Sequence, residues 1–143
     1  MPALPDIVNK AWENRDGPVV LTTVDREGNP NAVYVTCVSK FSDDTLVIAN
    51  NYFDKTRANI LAGCGASLLF ITKNGTSYQI KGKIELYTEG TIYDDMKRWN
   101  PNKHPGHAAA ALNVKHVFSG AEKLLQNNRT QKTNLSAYPR ESK

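Results

Sequence analysis

From Tyr78 to Leu86 the chain alternates, directly after the pair Asn74-Gly75. Tyr78, Ile80, Ile84 and Leu86 fall on one side, and Gln79, Lys81, Lys83 and Glu85 on the other. A period of two fits a strand with one buried and one solvated face, and it does not fit a helix. Asn-Gly is the strongest short signal for a tight hairpin, because such turns need positive φ. The chain therefore contains an antiparallel hairpin whose second arm has an inside and an outside. Gly82 interrupts the apolar face, which predicts a bend or the close approach of another backbone.

The remaining segments extend this β pattern. Val19 to Val24 is rich in β-branched residues and reads as a strand. Asp25-Arg26-Glu27-Gly28-Asn29 is a turn, and Asn31 to Val38 is the second strand. Leu46 to Asn50, Ser67 to Thr72 and Leu112 to Phe118 supply three more. Leu4, Ile7, Val8, Ala11 and Trp12 form the stripe of an amphipathic first helix. Asp54 is placed as the N-cap of a short helix over Lys55 to Ala62, closed by Gly63. Thr91 and Asp94 resemble a capping box, with Ile92, Met96 and Trp99 on one face up to Asn100-Pro101. Glu122 to Leu125 reads as a last helical turn. Six strands with antiparallel turns and few helices point to a mainly β (α+β) domain closed as a small barrel, which removes exposed sheet edges.

A chain of 143 residues suits one such domain and can bury enough surface to fold without disulfides or metal. Cys37 and Cys64 stand far apart, with no zinc or disulfide spacing. The N-terminus has neither a basic flank nor a long apolar stretch, and no run reaches membrane-helix length; the expected location is cytoplasmic. The net charge is +4, yet Arg129, Lys132, Arg140 and Lys143 against Glu141 place +3 of it after Gln126. The chain divides into a domain over 1–125, nearly neutral, and a polar basic tail over 126–143. Strand aromatics Tyr34, Phe70, Tyr78 and Phe118 do not sit among basic residues, which argues against a flavin-free barrel that stacks single-stranded nucleic acid.

The segment Leu46 to Ile60 carries the chemistry. An apolar strand runs into a helix whose first turn holds Lys55, Thr56 and Arg57. Two cations and a hydroxyl beside free backbone N–H groups suit a phosphate. A capped helix with solvated lysine and arginine fits the same residues, with Asp54 as the balancing anion.

Here the chain resembles a known family, the pyridoxamine 5′-phosphate oxidase-like, FMN-binding split-barrel proteins, especially their short stand-alone members. The likeness spans Val19 to Glu122 and rests on four stretches in order: Val19 to Pro30, Ala32 to Val38, Asp54 to Asn59, and Tyr78 to Glu85. It implies a six-stranded antiparallel split β-barrel, flavin mononucleotide (FMN) as cofactor, and a homodimer with FMN at the subunit interface. By the same likeness, Lys55 and Thr56 match the phosphate-binding pair, and Asn59 braces that turn. Val35, Thr36, Cys37 and Val38 match the segment lying along the flavin, and Asn50 and Asn51 the strand end beside the ribityl chain or ring edge. Gln79 and Lys81 match polar positions facing the cofactor. Trp99 matches the region reaching the flavin from the other subunit.

The family's Arg-rich substrate boxes and Arg-Leu type ending are missing from Tyr138 to Lys143, so the likeness supports fold and cofactor and not vitamin B6 oxidation. The activity it implies is an FMN-dependent oxidoreductase or electron carrier. Some split-barrel relatives handle haem, and His104, His107 and His116 keep a haem-binding or haem-degrading reading open. His104-Pro-Gly-His107 reads first as a loop, because a metal needs three or four ligands. No acid–base residue stands out.

Overall fold

The alternating hairpin arm forms the centre of one antiparallel sheet. The computed structural model describes residues 3–125. The tail expected over 126–143 lies outside the described residues. The strands are β1 (Val19–Val24), β2 (Pro30–Val35), β3 (Val38–Ser42), β4 (Thr45–Asn50), β5 (Gly65–Ile71), β6 (Ser77–Tyr87), β7 (Ala108–Ser119) and β8 (Glu122–Leu125). The helices are α1 (Asp6–Glu13), α2 (Lys55–Leu61) and α3 (Thr91–Trp99). Hydrogen bonding runs β2-β1-β5-β6-β7-β4-β3, with β8 hooked onto β7. The two ends of that path, β2 and β3, are consecutive in the chain and separated only by Thr36 and Cys37. The sheet therefore curls until its edges face each other without pairing, which is a split barrel.

The strand count differs from the six expected: seven lie along the sheet path and β8 adds another. One cause is the run Asn31 to Val38, read as a single strand. It breaks at Thr36-Cys37, where the Val38 N–H donates back to the Thr36 carbonyl at 3.2 Å and the Ala49 N–H donates to the Cys37 carbonyl at 2.9 Å. The bond spanning two residues is a γ-turn, too local to mark in composition. The other cause is Glu122 to Leu125, which extends along β7 instead of forming a helical turn.

Leu21, Leu46, Ile48, Leu68, Ile80, Ile84 and Leu112 fill the interior and are at most 2% exposed. Each such side chain stabilises the fold by about 1.5–3 kcal/mol. Trp12 of α1 meets Phe70 edge-on at 5.1 Å, and Phe70 stacks on Tyr78 at 5.5 Å. Ile7 leaves the predicted stripe and is exposed. From the other side, α2 adds Ile60 to the core, and the Asn59 amide donates to the Thr23 hydroxyl at 3.0 Å.

β4 is buried on both faces, which explains its unbroken apolar run. Its outer side, with Ala109 and Ala111 of β7, is covered by Met96 of α3. Small side chains there let the helix lie close to the sheet. Gly82 stands at a register shift opposite β7, where an added Cβ would press on the Asn113 carbonyl, 2.8 Å from its carbon. The predicted close approach is thus observed. The predicted caps differ: Asp54 sits at the N-cap of α2 without a side-chain cap bond, and Gly90, not Thr91, is the N-cap of α3. The backbone enters each helix from a tight turn, and the Gly90 carbonyl takes the Asp94 N–H at 2.9 Å.

Candidate functional site

The split carries a groove of about 330 Å³. Its walls come from β2 and the Thr36-Cys37 link, from the β4–α2 turn, and from the first turn of α2. Val33, Val35, Ala49 and Phe53 give an apolar stretch, and Asn31, Lys55 and Thr56 give a polar end. Thr56 is buried, and its hydroxyl accepts from the Asn31 amide at 3.1 Å. Lys55 is exposed and has no carboxylate partner among the described residues. Asp54 forms no ion pair with it. Asp54 lines the same end of the groove, so that end carries one cation and one anion without an ion pair between them, beside the Asn31 amide and the Thr56 hydroxyl.

The far lip is built by the loop after α3. Asn51 and Asn100 exchange amide hydrogen bonds at 2.9 and 3.2 Å, both buried. The Gly106 N–H donates to the Asn51 side-chain oxygen at 2.8 Å, and the His107 N–H to the Asn50 carbonyl at 2.9 Å. Lys97 donates to the Pro105 and Gly106 carbonyls at 3.0 and 3.3 Å. Gly106 has φ 55°, and a Cβ there would meet the Asn100 amide nitrogen at 3.0 Å. This clamp sets His104 against the groove, where its Nδ1 lies 3.0 Å from the Tyr52 hydroxyl.

The residues singled out from sequence separate into four places. Val35, Thr36, Cys37, Asn51, Lys55 and Thr56 line the groove. Asn50 and Asn59 lie just behind it in structural bonds: the Asn50 side chain accepts the Phe53 N–H at 3.1 Å, and Asn59 ties α2 to β1. Val38 is largely core and borders, with Trp99, a neighbouring depression that shares Thr36, Cys37 and His104 with the groove. The Trp99 ring N–H donates to Asp95 at 3.3 Å.

Gln79 and Lys81 are elsewhere, on the outer face of the sheet. There Tyr34, Val20, Leu69, Gln79 and Phe118 stand opposite one another in a row across β2, β1, β5, β6 and β7. Lys81 faces His116 across the strands and borders a shallow pocket with Lys115. Burial, and then Lys123, Lys81 and Lys115, push the His116 imidazole below the ordinary histidine range. Tyr34 belongs to both places, since it lines the groove and begins the row. Sequence reasoning missed Asn31, Tyr52 and Asn100, and weighed His104 only as a loop residue or haem ligand. Asn31 could have been found from its place on the groove side of β2, but nothing local announces Tyr52 or Asn100.

Residues 8–120 match the sequence model of the pyridoxamine 5′-phosphate oxidase family, so the chain belongs to that family. No curated protein matches it. Solved structures share its fold. HupZ of Group A Streptococcus is 24% identical, with 81% of this chain and 93% of that one covered at a TM-score of 0.71. An FMN-binding protein from Syntrophomonas wolfei is 22% identical, with coverages of 80% and 81% and a TM-score of 0.59. A pyridoxamine 5′-phosphate oxidase-related, FMN-binding protein from Nostoc punctiforme is 12% identical, with coverages of 86% and 90% and a TM-score of 0.60. Among the described residues, no helix is long and apolar enough to cross a membrane.

Proposed function

We infer that this chain is an FMN-binding flavoprotein, a cytoplasmic homodimer working as an FMN-dependent oxidoreductase or electron carrier. The observation that carries the reading is the groove, which joins Lys55, without a carboxylate partner among the described residues, and the Thr56 hydroxyl to the wall along Val35, Thr36 and Cys37. That order of cation, hydroxyl and apolar wall suits a nucleotide with a phosphate at one end and a flat ring at the other. Lys55 and Thr56 hold the phosphate, with Asn31 fixing the Thr56 rotamer. The Thr36-Cys37 link lies along the ring, and the Asn51 turn closes its edge. Bound there, FMN supplies hydride or single-electron transfer. The protein's share is to hold it, to exclude water and to place neutral amides near it.

A groove of about 330 Å³ is near the small end of ligand pockets, which run from roughly 300 to 1,000 Å³. One subunit therefore gives one wall. Tyr34 at 78%, Leu69 at 42% and Ile71 at 45% exposure leave an apolar outer face beside it. In a homodimer that covers this face, Gln79, Lys81 and Trp99 of one subunit would approach the cofactor held by the other.

Purified protein should be yellow, sediment as a dimer and release FMN on denaturation. Lys55→Ala should raise the FMN Kd about 10-fold or more, the loss of one charge-assisted hydrogen bond. An unchanged Kd in that variant counts against the phosphate assignment. A colourless monomer that takes up no FMN defeats the whole reading.

A further inference from the structure

We propose that His104 is the proton donor and acceptor for a two-electron acceptor bound beside the cofactor, with Tyr52 as its positioning residue. This rests on the flavin reading above and adds the acid–base group that reading lacks.

Four features support the assignment. His104 lines both the groove and the adjoining depression, so its side chain borders the space open to a small molecule beside the cofactor. Its Nδ1 is 3.0 Å from the Tyr52 hydroxyl, and the rings meet edge-on with centroids 5.6 Å apart. The Nε2 atom has no protein partner among the described residues. The loop carrying it is held by the Asn51–Asn100 pair, the Gly106 N–H and Lys97, so the ring does not depend on a flexible tether.

The chemistry follows from the bonding pattern. When Nδ1–H donates to the phenolic oxygen, that bond is the same in the imidazolium and in the neutral ring left after Nε2 gives up its proton. Tyr52 thus holds the ring in one pose through the transfer and keeps Nε2 as the exchanging atom. A quinone is the simplest acceptor class for such a site. With FMN held in the groove, the cofactor would supply two electrons and one proton as hydride, and the remaining quinone oxygen would take the second proton from His104. The Nε2–H bond breaks as that O–H bond forms; neutral His104 then regains a proton from water. An acceptor of single electrons that needs no proton has no use for His104.

The test compares FMN-loaded wild type with the His104→Gln and Tyr52→Phe variants. Each is reduced chemically and then mixed with menadione or with ferricyanide in a stopped-flow instrument. With menadione, His104→Gln should reoxidise at least 10-fold more slowly, against the roughly 10²–10⁴-fold that a positioned acid–base group typically contributes. Tyr52→Phe should fall between that variant and wild type. With ferricyanide all three should agree within 2-fold. A second readout needs no cofactor: ring ¹⁵N shifts of the apo-protein should place the neutral His104 proton on Nδ1, and Tyr52→Phe should move it to Nε2. Equal menadione rates, equal slowing with both acceptors, or a wild-type proton on Nε2 overturns the assignment. If wild type takes up no FMN, the flavin reading fails and the assignment falls with it; FMN uptake with unaffected menadione rates removes the assignment alone.

Discussion

The barrel interior and the rim of the split are built from opposite materials. The interior is apolar, with Trp12, Phe70, Ile80 and Leu112 packed on one another, while the rim is a lattice of amides and backbone groups around Asn51, Asn100 and Gly106. Apolar burial scales with area and has little direction, so it gives the interior stability without fixing any one atom. Hydrogen bonds contribute less net energy but have strict geometry, so the rim gives position instead. The difference teaches where the molecule invests in rigidity: the elements nearest the groove are held by direction.

That contrast can be broken by substitution. The largest effect should come from the interior. Trp12→Ala should lower unfolding free energy by about 3–5 kcal/mol, read from urea titration. Asn51→Ala should cost about 1–3 kcal/mol, because the Asn100 amide and the Gly106 N–H are left buried without partners. The same variant should speed hydrogen exchange at Gly106 and His107 while β6 stays protected. Equal loss of protection in β6 would show that the rim and interior are one unit.

The smallest effect should be a pH slope from the outer face. The folded His116 ring titrates below its ordinary value, chiefly through burial and then through Lys123, Lys81 and Lys115. Above pH about 6.5 the ring is neutral in both folded and unfolded chains. As pH falls below that value, only the unfolded chain takes up the proton, so stability declines until the folded ring titrates. His116→Gln should flatten this decline, measured as the urea midpoint between pH 7 and 5. A slope identical to wild type removes His116 as its source.

The same contrast explains what was legible in the sequence. Interior positions follow a period: the alternation from Tyr78 to Leu86 and the helical stripe with Val8 and Trp12 both mark buried residues. Part of the groove was legible too, since Val35, Thr36, Cys37, Asn51, Lys55 and Thr56 match positions of the family pattern. The rim was not. Asn51 meets Asn100 across 49 positions, and Tyr52 meets His104 across 52, so no local signal joins them. The break at Thr36-Cys37 escaped for the converse reason: both flanking segments are good strand formers, and the γ-turn between them is too local to mark in composition. Gln79 and Lys81 match the family motif but face away from the groove of their own subunit.

The alanine floor under α3 carries a consequence for engineering. Ala49, Ala109 and Ala111 let Met96 sit close to the sheet, and α3 leads directly into the loop that ends in the Asn51 clamp. Enlarging one of these alanines should push α3 away from the sheet and, with it, the start of the loop that leads to the clamp. The width of the groove mouth can thus be adjusted by a buried methyl group that never meets the ligand.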